Sequence, residues 1–281
     1  MYKQKLCLGI MASLPETPEE QVKLIKAAGF EGVFAEWSAP GCLDSVVKVI
    51  KEEGLIFQSV HAPFGRSADM WCEDEENAEA AVNELIACLD DCKKLGAPIM
   101  VVHAFIGFTE HNPTPLGVER FAKVVKAAED RGVKIAFENT EGEEYLDTLM
   151  EAFKDNETVG FCWDTGHEMC YNRHRDMLSS YGHRLIATHI NDNLGISRAD
   201  GEIFWTDDLH LLPFDGIADW DDIAARLDRC GFTDIMTFEL TVKSKPSRFE
   251  NDKYAAMSSK QYLAEAYSRA CRVAAKRKLK Q

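Results

Sequence analysis

The sequence predicts a single (β/α)8 barrel, and three observations carry that prediction. Five charged, amphipathic segments each stop at a glycine and are followed by a short apolar run. Most of the apolar runs are continuous rather than alternating, as parallel strands buried on both faces require. Eight such runs fit within 281 residues, the strand count and length of one barrel domain. A doubly wound sheet is the competing architecture, but no glycine-rich phosphate fingerprint follows the first run. No linker or low-complexity stretch marks a second domain.

The elements follow in order. The first run is Leu6 to Met11. Val22, Leu24, Ile25 and Ala28 share one helical face, which closes at Gly29 before the run Gly32 to Ala35. Gly54 precedes Ile56 to Val60. A long helical pattern from Glu75 to Leu95 ends at Gly96 and leads into Ile99 to Val102; Cys88 and Cys92 read as small apolar fillers within it. Gly132 precedes Val133 to Phe137, and Val159 to Trp163 and Leu185 to Thr188 follow. Gly231 precedes Ile235 to Phe238. Glycine suits these helix ends because it enters the left-handed backbone region without steric cost. A last helix from about Asp252 to Ala275 closes the ring, and KRKLK at 276–280 reads as a solvated tail.

Charge and cysteine usage narrow the function classes. Forty-seven Asp and Glu against 32 Lys and Arg give a net charge of −15, which supplies no overall basic footprint for nucleic acid or an anionic membrane. Nine cysteines, an odd number without C-x-x-C spacing, do not form a thiolate zinc site. No secretory leader and no membrane-length apolar stretch is visible, so a cytoplasmic location with reduced thiols is expected.

The chemistry sits where the runs end. The residue after each run reads Glu36, His61, His103, Glu138, Asp164, His189 and Glu239. In a barrel all strand C-termini open onto one face, so residues scattered through the chain converge there. Any one of them alone would be a cap or a hydrogen-bonded structural residue. Converging carboxylates repel one another unless a cation or shared protons compensate, and a bound divalent metal is the economical explanation. Carboxylate and imidazole ligands without thiolate suit Mn²⁺, Mg²⁺, Co²⁺ or Zn²⁺. His167 and His210 also lie just beyond strand ends, whereas His111, His174 and His183 read as surface residues.

The segments SVHAPF, VVHAF, AFENT, FCWDTGH, HIND, DDLHLLPFDGIADW and MTFEL, in that order, resemble the xylose isomerase-like TIM-barrel superfamily. The resemblance runs from Leu6 to Leu240. It implies a metal-dependent sugar or sugar-phosphate isomerase or epimerase working through an enediolate. By the same resemblance Glu138, Asp164, His189 and Glu239 hold one divalent metal, and Glu138 and Glu239 form the acid/base pair. His167 and His210 match substrate-binding residues, and His61 and His103 line the same mouth.

The apurinic endonucleases of this superfamily imply a rival mapping. They bind three zinc ions through nine ligands, matched here by His61, His103, Glu138, Asp164, His167, His189, Asp208, His210 and Glu239. Metal-activated water would then cut a phosphodiester. Against it, the HAP turn continues as HAPFGRSADMWCEDEEN, acidic where a phosphate backbone needs cations. Inosose dehydratase chemistry, which loses water through the same enediolate, is a further alternative. A sugar-binding protein without turnover would lack an acid/base residue, and neither Glu138 nor Glu239 is missing.

Trp37, Phe64 and Trp205 are candidates for an aromatic wall against a sugar ring. Residues 193–215 form the longest strand-to-helix connection, long enough for a lid, and carry Arg198, a candidate for a substrate anion. The basic segment ELTVKSKPSR reads either as a clamp for one sugar phosphate or as solvated surface. The expected partner is a small sugar or sugar phosphate, with no nucleic acid and no membrane; a homo-oligomer is left open.

Overall fold

The computed structural model of the chain describes residues 4–109 and 111–278. Its strands are β1 (Leu6–Gly9), β2 (Gly32–Glu36), β3 (Ile56–His61), β4 (Ile99–His103), β5 (Lys134–Glu138), β6 (Val159–Asp164), β7 (Leu185–His189) and β8 (Met236–Phe238). They pair in parallel in the order β7-β6-β5-β4-β3-β2-β1-β8. The gap between β7 and β8 is bridged at Ile190 and Phe238. There Ile190 N donates to Thr237 O (2.8 Å) and Glu239 N to Ile190 O (3.2 Å). The ring is the barrel that the sequence predicts.

Local signals place the helices between the strands. Thr17 caps the helix Pro18–Ala28 in a capping box with Glu20, and Asp74 and Thr114 cap Glu75–Leu95 and Pro115–Arg131. Each such cap contributes about 1 kcal/mol. All five helix-ending glycines have positive φ, as their role requires.

The core has two layers. Val101, Ala136, Cys162 and Ala187 fill the barrel interior with small, fully buried side chains. An eight-stranded barrel has room for little more. A larger shell between strands and helices includes Ile25, Leu89, Phe121, Phe137 and Phe161. Each such side chain contributes roughly 1.5–3 kcal/mol by leaving water. Cys88 and Cys92 are fully buried in that shell as fillers, and all nine cysteines are free. No helix among the described residues is long and apolar enough to cross a membrane.

Three expectations are corrected. The first strand stops at Gly9 rather than Met11, because the Gln21 side chain takes both backbone groups of Met11 at 2.9 Å. The last helix is two, Asp252–Ala255 and Ser259–Ala274, since Ser258 caps the second in a box with Gln261. Within the basic tail, Arg277 is not solvated. Its guanidinium reaches Asp228 (2.6 Å), Gln4 (3.1 Å) and the Phe232 carbonyl (2.6 Å). Residues 279–280 lie outside the described residues.

Candidate functional site

Two motifs interlock to hold Asp164. Thr165 Oγ1 donates to Asn191 O (2.6 Å) and accepts from Asn191 N (2.9 Å), tying W-D-T-G-H to H-I-N-D. The Asn191 amide donates to Asp164 Oδ2 (2.9 Å), and His167 N donates to Oδ1 (2.6 Å). Asn139 closes the arrangement from A-F-E-N-T: it accepts from Asp164 N and donates to Asp164 O, both at 2.8 Å. Gly166 is required here because a Cβ would sit 1.9 Å from Asn191 Oδ1. Asn139 and Asn191 are functional neighbours that the sequence reading missed. Their only signal is that each lies within two residues of a strand-end carboxylate or imidazole.

Glu138 is the hub. It is completely buried, with His189 Nδ1 at 2.9 Å from Oε1 and His61 Nε2 and His103 Nε2 at 3.3 and 3.4 Å from Oε2. Burial alone would raise its carboxyl, but His189, His103 and His61 hold it well below the usual range. His189 Nδ1 also lies 3.2 Å from Glu239 Oε2. Burial raises Glu239 too, yet His189 and His210 bring it down to about 2. Burial, together with repulsion from Glu138 and Glu239, outweighs His167 and His210 and pushes Asp164 up to about 6.

A second set faces the first. His167 Nε2 is 3.6 Å from Asp208 Oδ1, and His210 Nε2 is 2.8 Å from Asp208 Oδ2. Burial disfavours charge on His210, but Asp208 and Glu239 overcome it and raise the imidazole to about 9. Three imidazoles are fixed by backbone carbonyls: Nδ1 of His61, His167 and His210 donates to Ala62 O (2.8 Å), Asn139 O (3.0 Å) and Glu239 O (3.2 Å). Their Nε2 atoms are thereby aimed inward, the second-shell pattern of metal-binding histidines. His189 is turned the other way, with Nδ1 inward.

The ligand atoms of Glu138, Asp164, His189 and Glu239 all lie within 4.8 Å of one another, as do those of His61, His103 and Glu138, and those of His167, Asp208 and His210. Glu138 Oε2, His103 Nδ1 and Asp208 Oδ1 are buried without a directed hydrogen bond. Buried polar atoms left unpaired are costly, and a cation at these positions would satisfy them. The donor set fits a divalent metal ion. Above it opens a cavity of about 750 Å³, lined among others by Phe34, Glu36, Trp205, His210, Glu239 and Lys245.

Six of the seven strand-end residues enter these groups. Glu36 does not, and is exposed on the cavity wall. Trp205 lines the cavity, whereas Phe64 stacks on His103 at 4.6 Å and is not among the cavity-lining residues. Trp37 does not belong to that wall. It is 5% exposed, and its indole donates to Asp91 (2.8 Å) in the helix Glu75–Leu95, which makes it a core residue. Arg198 is likewise spent elsewhere: its guanidinium pairs with Asp200 (2.6 Å) and Glu202 (3.0 Å) at the protein surface. His174 and His183 are exposed as expected, while His111 is half-buried against Glu144 (2.8 Å).

Comparison with known proteins gives this geometry its context. Residues 22–275 match the family described as the xylose isomerase-like TIM barrel. The chain belongs to that family. Among curated relatives of this xylose isomerase-like chain is "Uncharacterized protein y4fM" of Sinorhizobium fredii, 27% identical over 88% of the chain and 90% of the relative. A "Probable endonuclease 4" of Cenarchaeum symbiosum is 28% identical over 40% of the chain and 42% of its own length. Among solved structures, IolI protein with a bound zinc atom superposes with a TM-score of 0.75, at 19% identity over 97% of this chain and 98% of its own. The 3-keto-D-glucoside 4-epimerase YcjR of E. coli does so with a TM-score of 0.65, at 18% identity over 90% and 98%.

Proposed function

We propose that the protein is a divalent-metal-dependent isomerase or epimerase that moves a proton on the carbon beside the carbonyl of a sugar, sugar phosphate or cyclitol. The observation that carries this is the pairing of two carboxylates about one imidazole. His189 Nδ1 has Glu138 on one side at 2.9 Å and Glu239 on the other at 3.2 Å, and Glu239 faces the cavity. Family membership, the epimerase among the solved relatives and the zinc of IolI support the reading.

A metal held by Glu138, Asp164, His189 and Glu239 would supply Lewis acidity to a carbonyl and its neighbouring hydroxyl. Glu239, ionised throughout the neutral range, takes the carbon-bound proton from a substrate in the cavity. Glu138, ionised at rest among its imidazole neighbours, receives a proton from His61, whose Nε2 lies 3.3 Å from Oε2, and passes it to the carbon from the buried side. His61, His103, His167 and His210 hold hydroxyls and orient the sugar. Asn139 and Asn191 keep Asp164 fixed. Each proton transfer contributes roughly 10²–10⁴-fold to rate.

The second reading, a three-zinc phosphodiesterase, is favoured by one observation: all nine matched ligands fall into three compact groups. The acidic run at 73–76, exposed beside the mouth, weighs against a polyanion. The test is incubation of the metal-loaded protein with ketoses, ketose phosphates and inososes in deuterated water. Deuterium uptake is expected. Cleavage of an abasic-site duplex with no uptake into any carbonyl substrate would replace this reading with the second.

A further inference from the structure

Resting on the proton-transfer reading, we infer that the cavity contains a phosphate subsite, formed by Lys243 and Lys245, for the far end of a phosphorylated sugar. The chain leaving β8 passes from Glu239 straight into the cavity wall, where Thr241, Lys243, Ser244 and Lys245 line the same space as Glu239. A volume of about 750 Å³ lies within the roughly 300–1,000 Å³ of small-ligand sites. The residue of the proton-transferring carboxylate and two lysines therefore line one ligand-sized space.

The lysines differ from the other cation of their loop. Arg248 is committed to structure, with Asp207 at 3.1 Å, Glu250 at 2.9 Å and the Thr206 carbonyl at 3.2 Å. It pins this loop to the one that carries Trp205. Lys243 is exposed and has no carboxylate partner among the described residues. Lys245 is half-buried, its Nζ 3.4 Å from Asp208 Oδ2 and 5.6 Å from the centre of the Trp205 ring. That contact directs the ammonium but uses one of its three N–H groups, leaving two for a ligand oxygen.

Three features select a phosphate. Two ammonium groups match a dianion better than a neutral hydroxyl. In a chain of net charge −15, the only Lys or Arg among the residues lining this cavity are these two. Barrel enzymes commonly hold phosphate on the loops after strands 7 and 8, and here those loops supply Trp205 and the lysines. The sugar carbons between the two ends would lie against Trp205.

The experiment compares metal-loaded wild type with the Lys243→Met, Lys245→Met double variant. It measures deuterium uptake by a ketose, by its terminal phosphate and by a sugar carboxylate, and titrates inorganic phosphate by calorimetry. Wild type is expected to favour the phosphate, and that preference should fall about 10²-fold in the variant, roughly tenfold or more for each charge-assisted contact. Inorganic phosphate should bind at least tenfold more weakly to the variant, and Lys245→Arg should retain the preference. Preference for the free sugar or the carboxylate, or an unchanged preference in the double variant, would overturn the subsite. If no substrate takes up deuterium, the proton-transfer reading fails instead, and phosphate titration alone still decides the subsite.

Discussion

His189 Nδ1 lies 2.9 Å from Glu138 Oε1 with both side chains completely buried. The two residues are the last of β7 and β5 and 51 positions apart in sequence, so the contact exists only because the barrel brings strand ends together. A buried carboxylate ringed by imidazoles is costly as a structural device and useful as a cation site.

Metal content follows from this. A single divalent ion per chain is expected by elemental analysis of the purified protein, held by Glu138, Asp164, His189 and Glu239. With metal at about 100 times its Kd, stability should rise by about 2.7 kcal/mol. For a chain of this size that is a Tm increase of roughly 5 °C. Three zinc ions per chain would favour the phosphodiesterase.

The metal-free protein should show a pH signature at His210. Its folded value of about 9 lies above the ordinary imidazole value of 6.5. The charged His210 therefore contributes stability that is complete below about pH 6.5 and is lost as pH rises through about 9. His210→Gln should lower Tm at pH 6 and change it little at pH 9.5, as calorimetry in chelator would record. Equal losses at both values would assign His210 a packing role.

Gly166→Ala tests the motif interlock. A methyl group at that position must displace Asn191, whose Oδ1 would lie 1.9 Å from it, and Asn191 orients Asp164. Metal affinity should fall by roughly 10–100-fold, measured by competitive titration against a chromogenic chelator.

Arg226→Met tests the support beneath the site. Arg226 meets both oxygens of buried Glu168 at 2.6 and 2.8 Å and lies 4.8 Å from the Trp163 ring centre. Removing it leaves buried Glu168 without a cation, held only by the Trp163 indole and Met177 N, at a cost of about 3–5 kcal/mol. Chemical denaturation should show the loss, and Arg226→Met with Glu168→Gln should recover part of it.

Most of the barrel was legible in the sequence because a parallel sheet writes its burial into continuous apolar runs and its helix ends into glycines. The strand-end residues were legible for the same reason, since topology alone carries them to one face. What escaped was decided by side-chain partners. Trp37 follows Glu36 at a strand end and reads as a mouth residue, but Asp91 from a distant helix draws its indole into the core. Arg198 is neutralised by Asp200 and Glu202, two and four residues further along the same loop, a pairing that the local sequence itself offers. Asn139 and Asn191 look like turn residues until their amides are seen on Asp164.

The proposed function rests on a cavity-lining carboxylate moving a carbon-bound proton. Replacing Glu239 with Gln and following deuterium uptake by the best substrate, at saturating metal, tests it most directly. Exchange should fall roughly 10²–10⁴-fold with the fold intact by circular dichroism. Exchange at the wild-type rate in that variant would contradict it.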